Sequence, residues 1–450
     1  MEATSGGAPP AAPVTDPRAL LKERSYIVLL VLGAVIGIPV AVAAFGFLAA
    51  VSKSQTWLFQ TLPVDLGFDS APSWWPIPLL VLSGVVVALA IDRLPGTAGH
   101  EPANGFHSGP APRAVELPGI VIAAFGSLAL GAVVGPEAPL IALGSGLAVL
   151  IVHLIKKDAP ATAVLVIGAA GSFAAVSTLL GSPILGAFLI MEVAGLSGAM
   201  VGVVLAPGLL ASGIGALIFI GLDGITGLGT FSLSIPDIPQ FETIHGWQFL
   251  WAIVIGLLAA VLGYLIKVGA RQLQPLVAPR RLLLTPIIGL GVALCAVVFD
   301  VITDRGTEQV LFSGQDALPG LVHSAQTWGV GALVTLLVCK ALAYSLSLSS
   351  FRGGPIFPAM FLGAAGGMLL SHVGGLPMIA GVGMGIGAMA VAMLGLPLTS
   401  VLLAAVFLQA DAVELMPLII VAVVVSYVAS ARLEPPPLAS AEAPAGDQPG

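Results

Sequence analysis

The sequence predicts an all-α protein that crosses a membrane many times, built from two related halves whose helices are broken near their middle. Three observations carry this. Of 450 residues, 57% are hydrophobic and only 9% charged, with a mean hydropathy of +1.06, whereas ordinary soluble proteins are about 25% charged. Apolar runs such as 26–51 and 251–268 reach the roughly 20 residues that a spanning helix needs. Short alternating segments, the mark of a lipid-facing barrel, do not recur. Finally, G-P-E-A-P-L-I-A-L-G at 135–144 is echoed by G-P-I-F-P-A-M-F-L-G at 354–363. Gly135, Pro136, Pro139, Leu143 and Gly144 return in register as Gly354, Pro355, Pro358, Leu362 and Gly363. A second series, Gly171, Ala174, Leu180, Gly181 and Pro183, returns as Gly385, Ala388, Leu394, Gly395 and Pro397. Paired Gly/Pro interruptions in a hydrophobic chain mark discontinuous helices that meet at a central site. Only one copy carries an acid: Glu137, where the other has Ile356.

The same composition closes several functional classes. A net charge of −7 without a basic block offers nucleic acid no surface. Cys295 and Cys339 lie in apolar runs without zinc or redox spacing and read as inert buried thiols. HExxH, P-loop and GxSxG patterns are absent, so neither an enzyme activity nor a cofactor is expected. The first apolar run exceeds the roughly 7–15 residues of a signal-peptide core and follows a polar arm, so a cleaved leader is not expected.

In chain order, residues 1–24 form a cytoplasmic arm. Its first 16 residues are Gly/Ala/Pro-rich and expected to be disordered, and Asp16 is placed to cap a short interfacial helix over 18–24. Arg18, Lys22 and Arg24 put this end in the cytoplasm on the positive-inside rule. The first half, 25–221, opens with a long helix ending near Val51. Trp57, Trp74 and Trp75 read as interface anchors in the loop that follows, and a second helix covers 76–91. Residues 92–116 are too rich in Gly and Pro to cross in lipid. Apolar runs follow at 117–134, 137–155, 161–180, 183–193 and 199–221, with Lys156 and Lys157 marking a cytoplasmic turn. A Gly/Pro/Ser-rich linker, 222–246, joins the halves. The second half, 247–432, starts with a helix from Trp247 to about Val268 and returns to the cytoplasm at Arg271, Arg280 and Arg281. Helices are expected at 282–299, 328–348, 357–370, 376–394, 397–410 and 413–431, and a disordered tail at 433–450. The runs 183–193 and 357–370 are shorter than a bilayer is thick, so their N-termini can start at mid-membrane and point inward.

Glu137 follows Gly135 and Pro136 at the head of an apolar run. Pro near a helix start and an acid in the first turn are ordinary capping chemistry. At membrane depth, however, a carboxylate is costly and is a functional group by default: ionised it occupies an anion site, protonated it vacates one. A helix starting at Ile356 leaves the amides of Ile356 and Phe357 without helical partners, and Gly353 and Gly354 allow close backbone approach. Free donors at a positive helix end bind an anion without a full charge, where a fixed Lys or Arg would hold a halide too tightly; a plain packing turn is the alternative. Segment 96–102 is a third candidate break, in which Gly99 and His100 can donate to an anion, or a polar surface loop. Glu192, closing 183–193, is either a second acid on a proton path with Glu137 or a carboxylate bonded to backbone at a helix contact. Lys340 can snorkel or pair with an acid, but a structural role is the expectation; Asp411 and Glu414 are expected to face water.

These motifs resemble the CLC family of chloride channels and chloride/proton antiporters over residues 25–432. The family's G-[KR]-E-G-P helix start reads G-P-E-A-P at 135–139. Its G-x-F-x-P start is similar to Pro355-Ile356-Phe357-Pro358, with one proline displaced. Its A-P-L-A-G-like step matches Ser182-Pro183-Ile184-Leu185-Gly186 ahead of Glu192, and Gly99-His100-Glu101-Pro102 stands in place of G-S-G-I-P. The resemblance implies two inverted, intertwined repeats, a homodimer with one pore per subunit, Glu137 as external gating glutamate, and the amides of Ile356 and Phe357 around a central chloride. Gly99, His100 and Gly354 would line the same path. Three departures accompany it. His100 stands near the position of the pore serine, the C-terminal pore tyrosine has no counterpart (Tyr427 lies too early), and the antiporters' internal proton-transfer glutamate aligns with Val193. Loss of that acid implies a voltage- or proton-gated chloride channel in a bacterial-type plasma membrane, with chloride or other small anions, protons, lipid and a second copy as its partners. An anion/proton antiporter with an unusual inner route, or a cation-coupled solute transporter with Glu137 on the cation, are the other readings.

Overall fold

The computed structural model describes residues 22–106, 109–195, 200–232, 244–409 and 412–434, which are predominantly helical. The first half contains α1 (Arg24–Thr56, continued through a π-turn at Trp57–Thr61 to Asp65), α2 (Pro76–Arg93), α3 (Leu117–Ala129), α4 (Glu137–Ile155), α5 (Ala161–Ala175), α6 (Pro183–Val193) and α7 (Met200–Thr226). The second contains α8 (Gln248–Val277), α9 (Arg281–Thr303), a short α10 (Ala317–His323), α11 (Val330–Ser350), α12 (Ile356–Ser371), α13 (Met378–Leu394), α14 (Pro397–Leu408) and α15 (Ala412–Leu433). Seven of the helical stretches are long and apolar enough to cross a membrane, and the chain is an integral membrane protein.

Several boundaries differ from those expected. Helix α1 runs past Val51 because polar residues there find partners: the Gln55 side chain donates to the Leu128 carbonyl at 2.8 Å. Helix α7 runs into the linker as far as Thr226, and α8 runs through Arg271 to Val277. Trp57 and Trp74 are exposed, as interface anchors would be, but Trp75 is core, its indole N–H bonded to the Leu58 carbonyl at 2.9 Å. Arg24 begins α1 itself rather than ending a separate helix. Asp16, Arg18, Asp411, residues 233–243 of the linker and 435–450 of the tail lie outside the described residues.

The packing follows the duplication. Helix α1 rests on α5 and α7 as α8 rests on α13 and α15; α4 packs on α5 as α12 on α13, and α2 on α3 as α9 on α11. The halves meet where α2 crosses α9 and α6 meets α14. The echoed glycines have a task at these crossings. A Cβ on Gly144 or Gly171 would strike the other's carbonyl between α4 and α5, and Gly363 and Gly385 are related in the same way between α12 and α13. Small residues of this kind let helix backbones touch in lipid, where packing rather than water exclusion drives association. Gly181 and Gly395 take left-handed φ values of 82° and 70°, turning the chain into helices that open on Pro183 and Pro397.

Candidate functional site

The two echoed breaks meet each other. Gly135 and Gly354 form an isolated antiparallel bridge, each N–H donating to the other's carbonyl, at 2.7 Å and 2.6 Å. Antiparallel pairing of equivalent residues is what two oppositely oriented halves produce. Two buried serines cross the same seam: Ser127 of α3 accepts the Arg352 N–H and Ser347 of α11 accepts the Val133 N–H, each at 3.0 Å. Backbone donors freed by each break would be costly if left unpaired, and the opposite half satisfies them.

Glu137 opens α4 and is fully buried. Its side chain crosses to the head of α12, where Oε1 accepts the Phe357 N–H at 3.0 Å. The Tyr344 hydroxyl donates to the Pro355 carbonyl at 2.8 Å, fixing the start of that helix. A Cβ on Gly135 or on Gly354 would run into the carboxylate, so these two glycines form its seat. Oε2 has no hydrogen-bond partner among the described residues. Helices α4 and α12 both begin here, and their N-terminal dipole ends favour a negative charge.

A cavity lies on either side of this seam. One, of about 570 Å³, is a polar vestibule that reaches Pro136 beside Glu137 and includes Gln55, Asp223, Ser313, Gln315 and Asp316 in its wall. Asp223 accepts the Gly229 N–H at 2.7 Å. Asp316 touches solvent through the cavity, yet the surrounding wall buries it enough to push its carboxyl above the ordinary aspartate range. The other cavity, of about 40 Å³, is lined by Gly99, His100, Arg352 and Gly353 together with Ala138 and Pro139 of α4. Helix α3 spans the distance between them, with Leu128 at the vestibule and Ile120 and Ala124 at the small cavity. The residues singled out in the sequence, Gly99, His100, Glu137, Gly354, Ile356 and Phe357, are thus gathered around the two breaks. The His100 ring nitrogen Nε2 lies 2.6 Å from the Gly105 carbonyl.

Glu192 lies at the α6–α14 contact instead. Its oxygens accept the N–H groups of Leu398 (3.0 Å) and Thr399 (2.7 Å) and the Thr399 hydroxyl (2.6 Å), capping α14. Lys340 has the structural role expected of it, with no acid partner among the described residues. It is fully buried, and its ammonium donates to the carbonyls of Gln309, Val310 and Leu311 at 3.0–3.2 Å and lies 4.3 Å from the Phe361 ring centre. Three carbonyls and a ring face supply what an acid would have supplied. Glu414 is exposed, as expected. Among the described residues, no cluster of side chains could hold a metal ion.

Tyr344, Ser127, Ser347 and Arg352 escaped the reading of the sequence. Arg352 carried a signal, being the only charged residue between 341 and 371. Ser347 carried a weaker one, as one of several serines repeated along the C-terminal end of α11, and Ser127 of α3 carried none.

The comparisons with known proteins agree on a family. The family model described as voltage gated chloride channel matches residues 101–431. The protein YfeO of Salmonella choleraesuis (strain SC-B67), whose name describes ion transport, is 29% identical over 368 residues, covering 79% of this chain and 84% of that one. Among solved structures, a slow cyanobacterial Cl−/H+ antiporter superposes with a TM-score of 0.70 at 20% identity, covering 90% of this chain and 94% of that one. A CLC-type fluoride/proton antiporter gives 0.63 at 19% identity, covering 90% and 96%. A eukaryotic CLC transporter gives 0.64 at 15% identity, covering 90% and 72%. With its fold and most of its length in agreement, the chain belongs to the CLC, or voltage gated chloride channel, family.

Proposed function

We propose that the protein conducts chloride and other small monovalent anions across the membrane by one pathway per chain, with Glu137 as its gate. The observation that carries this is the carboxylate of Glu137 held on the Phe357 amide between two helix N-termini. Amides that donate to a carboxylate oxygen can also donate to an anion. When an anion displaces the side chain, or a proton neutralises it, the site becomes available. The vestibule then leads to the outside and the small cavity to the cytoplasm, an orientation supported by the basic ends Lys156, Lys157, Arg280 and Arg281. The plasma membrane of a bacterium is the setting this implies.

Uncoupled conduction is favoured over proton exchange by two residues. Val193 occupies the position of the antiporters' inner acid, and both oxygens of its neighbour Glu192 are already bound to α14. A homodimer is also proposed: α7 and α15 expose Leu217, Ile220, Val413 and Val424 beside the α6–α14 contact.

The test is chloride efflux from proteoliposomes with simultaneous recording of external pH. Flux without proton movement is expected, and Glu137→Gln should remove the part of its pH dependence that titration of this carboxylate contributes. Protons driven uphill by chloride, and lost with Glu137→Gln, would make the protein an antiporter. Flux that requires sodium and ignores halide would make it a cation-coupled transporter.

A further inference from the structure

The two halves pack their long first helices differently. In the first half α1 packs directly on α4; in the second their counterparts, α8 and α12, touch only slightly. The register of the breaks gives a reason: Gly366 and Gly367 stand where α4 has Leu147 and Ala148. Leu147 is partly buried and packed against the core, whereas a Cβ on Gly366 would meet nothing within 4 Å. The space left over is a cavity of about 350 Å³ between α8, α11, α12 and α13, within the roughly 300–1,000 Å³ of small-ligand sites. Its lining consists of apolar side chains and glycines. Gly366, Gly367 and Met389 belong to it, and it opens outward past Leu258, Leu265 and Val338, each more than half exposed.

Helices α8 and α11 belong to stretches long and apolar enough to cross the membrane, so this exposed rim meets lipid and not water. Water gains nothing in an apolar cavity, and an empty one forfeits the dispersion contacts of every side chain around it. Along α8 the lining runs from Ile255 to Leu265, about 15 Å at 1.5 Å per residue, half of a hydrocarbon core roughly 30 Å thick. The groove therefore spans one leaflet. It flanks α12, which starts at the buried break, and it lies toward the end of α8 remote from Arg280 and Arg281. We propose that this groove is a lipid site, holding one acyl chain of a phospholipid from the leaflet away from Arg280 and Arg281. The chain takes the place that direct helix contact fills in the first half. With no polar side chain in the wall, the site recognises the tail and not the headgroup. A tail wedged between α8 and α12 braces the helix whose first turn presents the Phe357 N–H to Glu137.

The test uses the full chain in nanodiscs of phosphatidylcholine with a trace of the same lipid carrying a diazirine midway along one tail. After irradiation, mass spectrometry compares tail adducts on 362–370 of α12 with those on the equivalent stretch of α4, 143–151. Roughly five- to tenfold more adduct is expected on α12, the preference of a seated tail over passing lipid. Gly366→Leu gives α12 the leucine of α4 and should bring its labelling down to the α4 level. Val338→Trp fills the groove from its exposed rim, should do the same, and keeps the test decisive if the first variant does not fold. Equal labelling of the two stretches in wild type overturns the proposal, and so does undiminished labelling in either folded variant. Phosphatidylglycerol with the same tail label should give the same pattern; a pattern seen with one headgroup alone overturns recognition by the tail. None of these outcomes depends on whether the protein carries anions.

Discussion

A carboxylate seated on two glycines can be displaced but not shared. A Cβ on Gly135 or Gly354 would strike the Glu137 carboxylate, so under the proposed gating an anion at the Phe357 amide and the ionised side chain would exclude each other. The acid nearest the entrance acts differently. Asp316 stays in the vestibule wall and alters the local potential only through its charge. Burial raises its folded pKa above the unfolded value. The folded state therefore holds this proton more tightly, and the stability it lends is complete below the unfolded pKa and lost as pH rises through the folded one. Ionisation over the same range places a negative charge beside incoming anions. With Glu137→Gln removing the gate's own titration, flux should still fall as pH rises through that range. Asp316→Asn should remove the remaining slope and raise flux on its alkaline side by roughly two- to fivefold at low salt, less at high salt. Proteoliposome efflux across a pH series measures both effects.

At the scale of helices, the contact between α6 and α14 decides what Glu192 does. Three donors converge on its carboxylate, and two of them are the first free amides of α14. Glu192→Ala should cost about 1–2 kcal/mol, as loss of a helix cap does, seen as a lower melting temperature in detergent. A proton relay would instead show unchanged melting and altered proton movement. The glycine crossings are stricter. Gly385→Ala drives a methyl group into the Gly363 carbonyl and should destabilise by about 1–3 kcal/mol or more, as overpacking does. Gly366→Ala, on α12 three residues from Gly363 with nothing within 4 Å of the added methyl group, should melt as wild type does.

For the whole molecule, what could be read in the sequence was whatever repeats. Glycine and proline returned in register because each marks a backbone event that both halves need: a break, a close crossing or a left-handed turn. Those landmarks located α4 and α6 to the residue and brought Glu137, Ile356 and Phe357 to one place. Contacts between the halves were not legible, because they join residues far apart in sequence and depend on hydroxyls and carbonyls common everywhere. The Ser127–Arg352 and Ser347–Val133 pairs are of this kind, and the contacts of Lys340 with three carbonyls and of Tyr344 with Pro355, within the second half, use the same common groups. Helix ends also shifted where a polar residue such as Gln55 found a distant partner. The crossed serines carry a historical implication as well. Each half offers a hydroxyl that its twin's break requires, Ser127 to one strand and Ser347 to the other. A half-length ancestor would have been incomplete alone, and whole only when paired with a copy inserted upside down. In the joined chain the two breaks differ, one carrying an acid, Glu137 opposite Ile356, and the other a base, Arg352 opposite Val133.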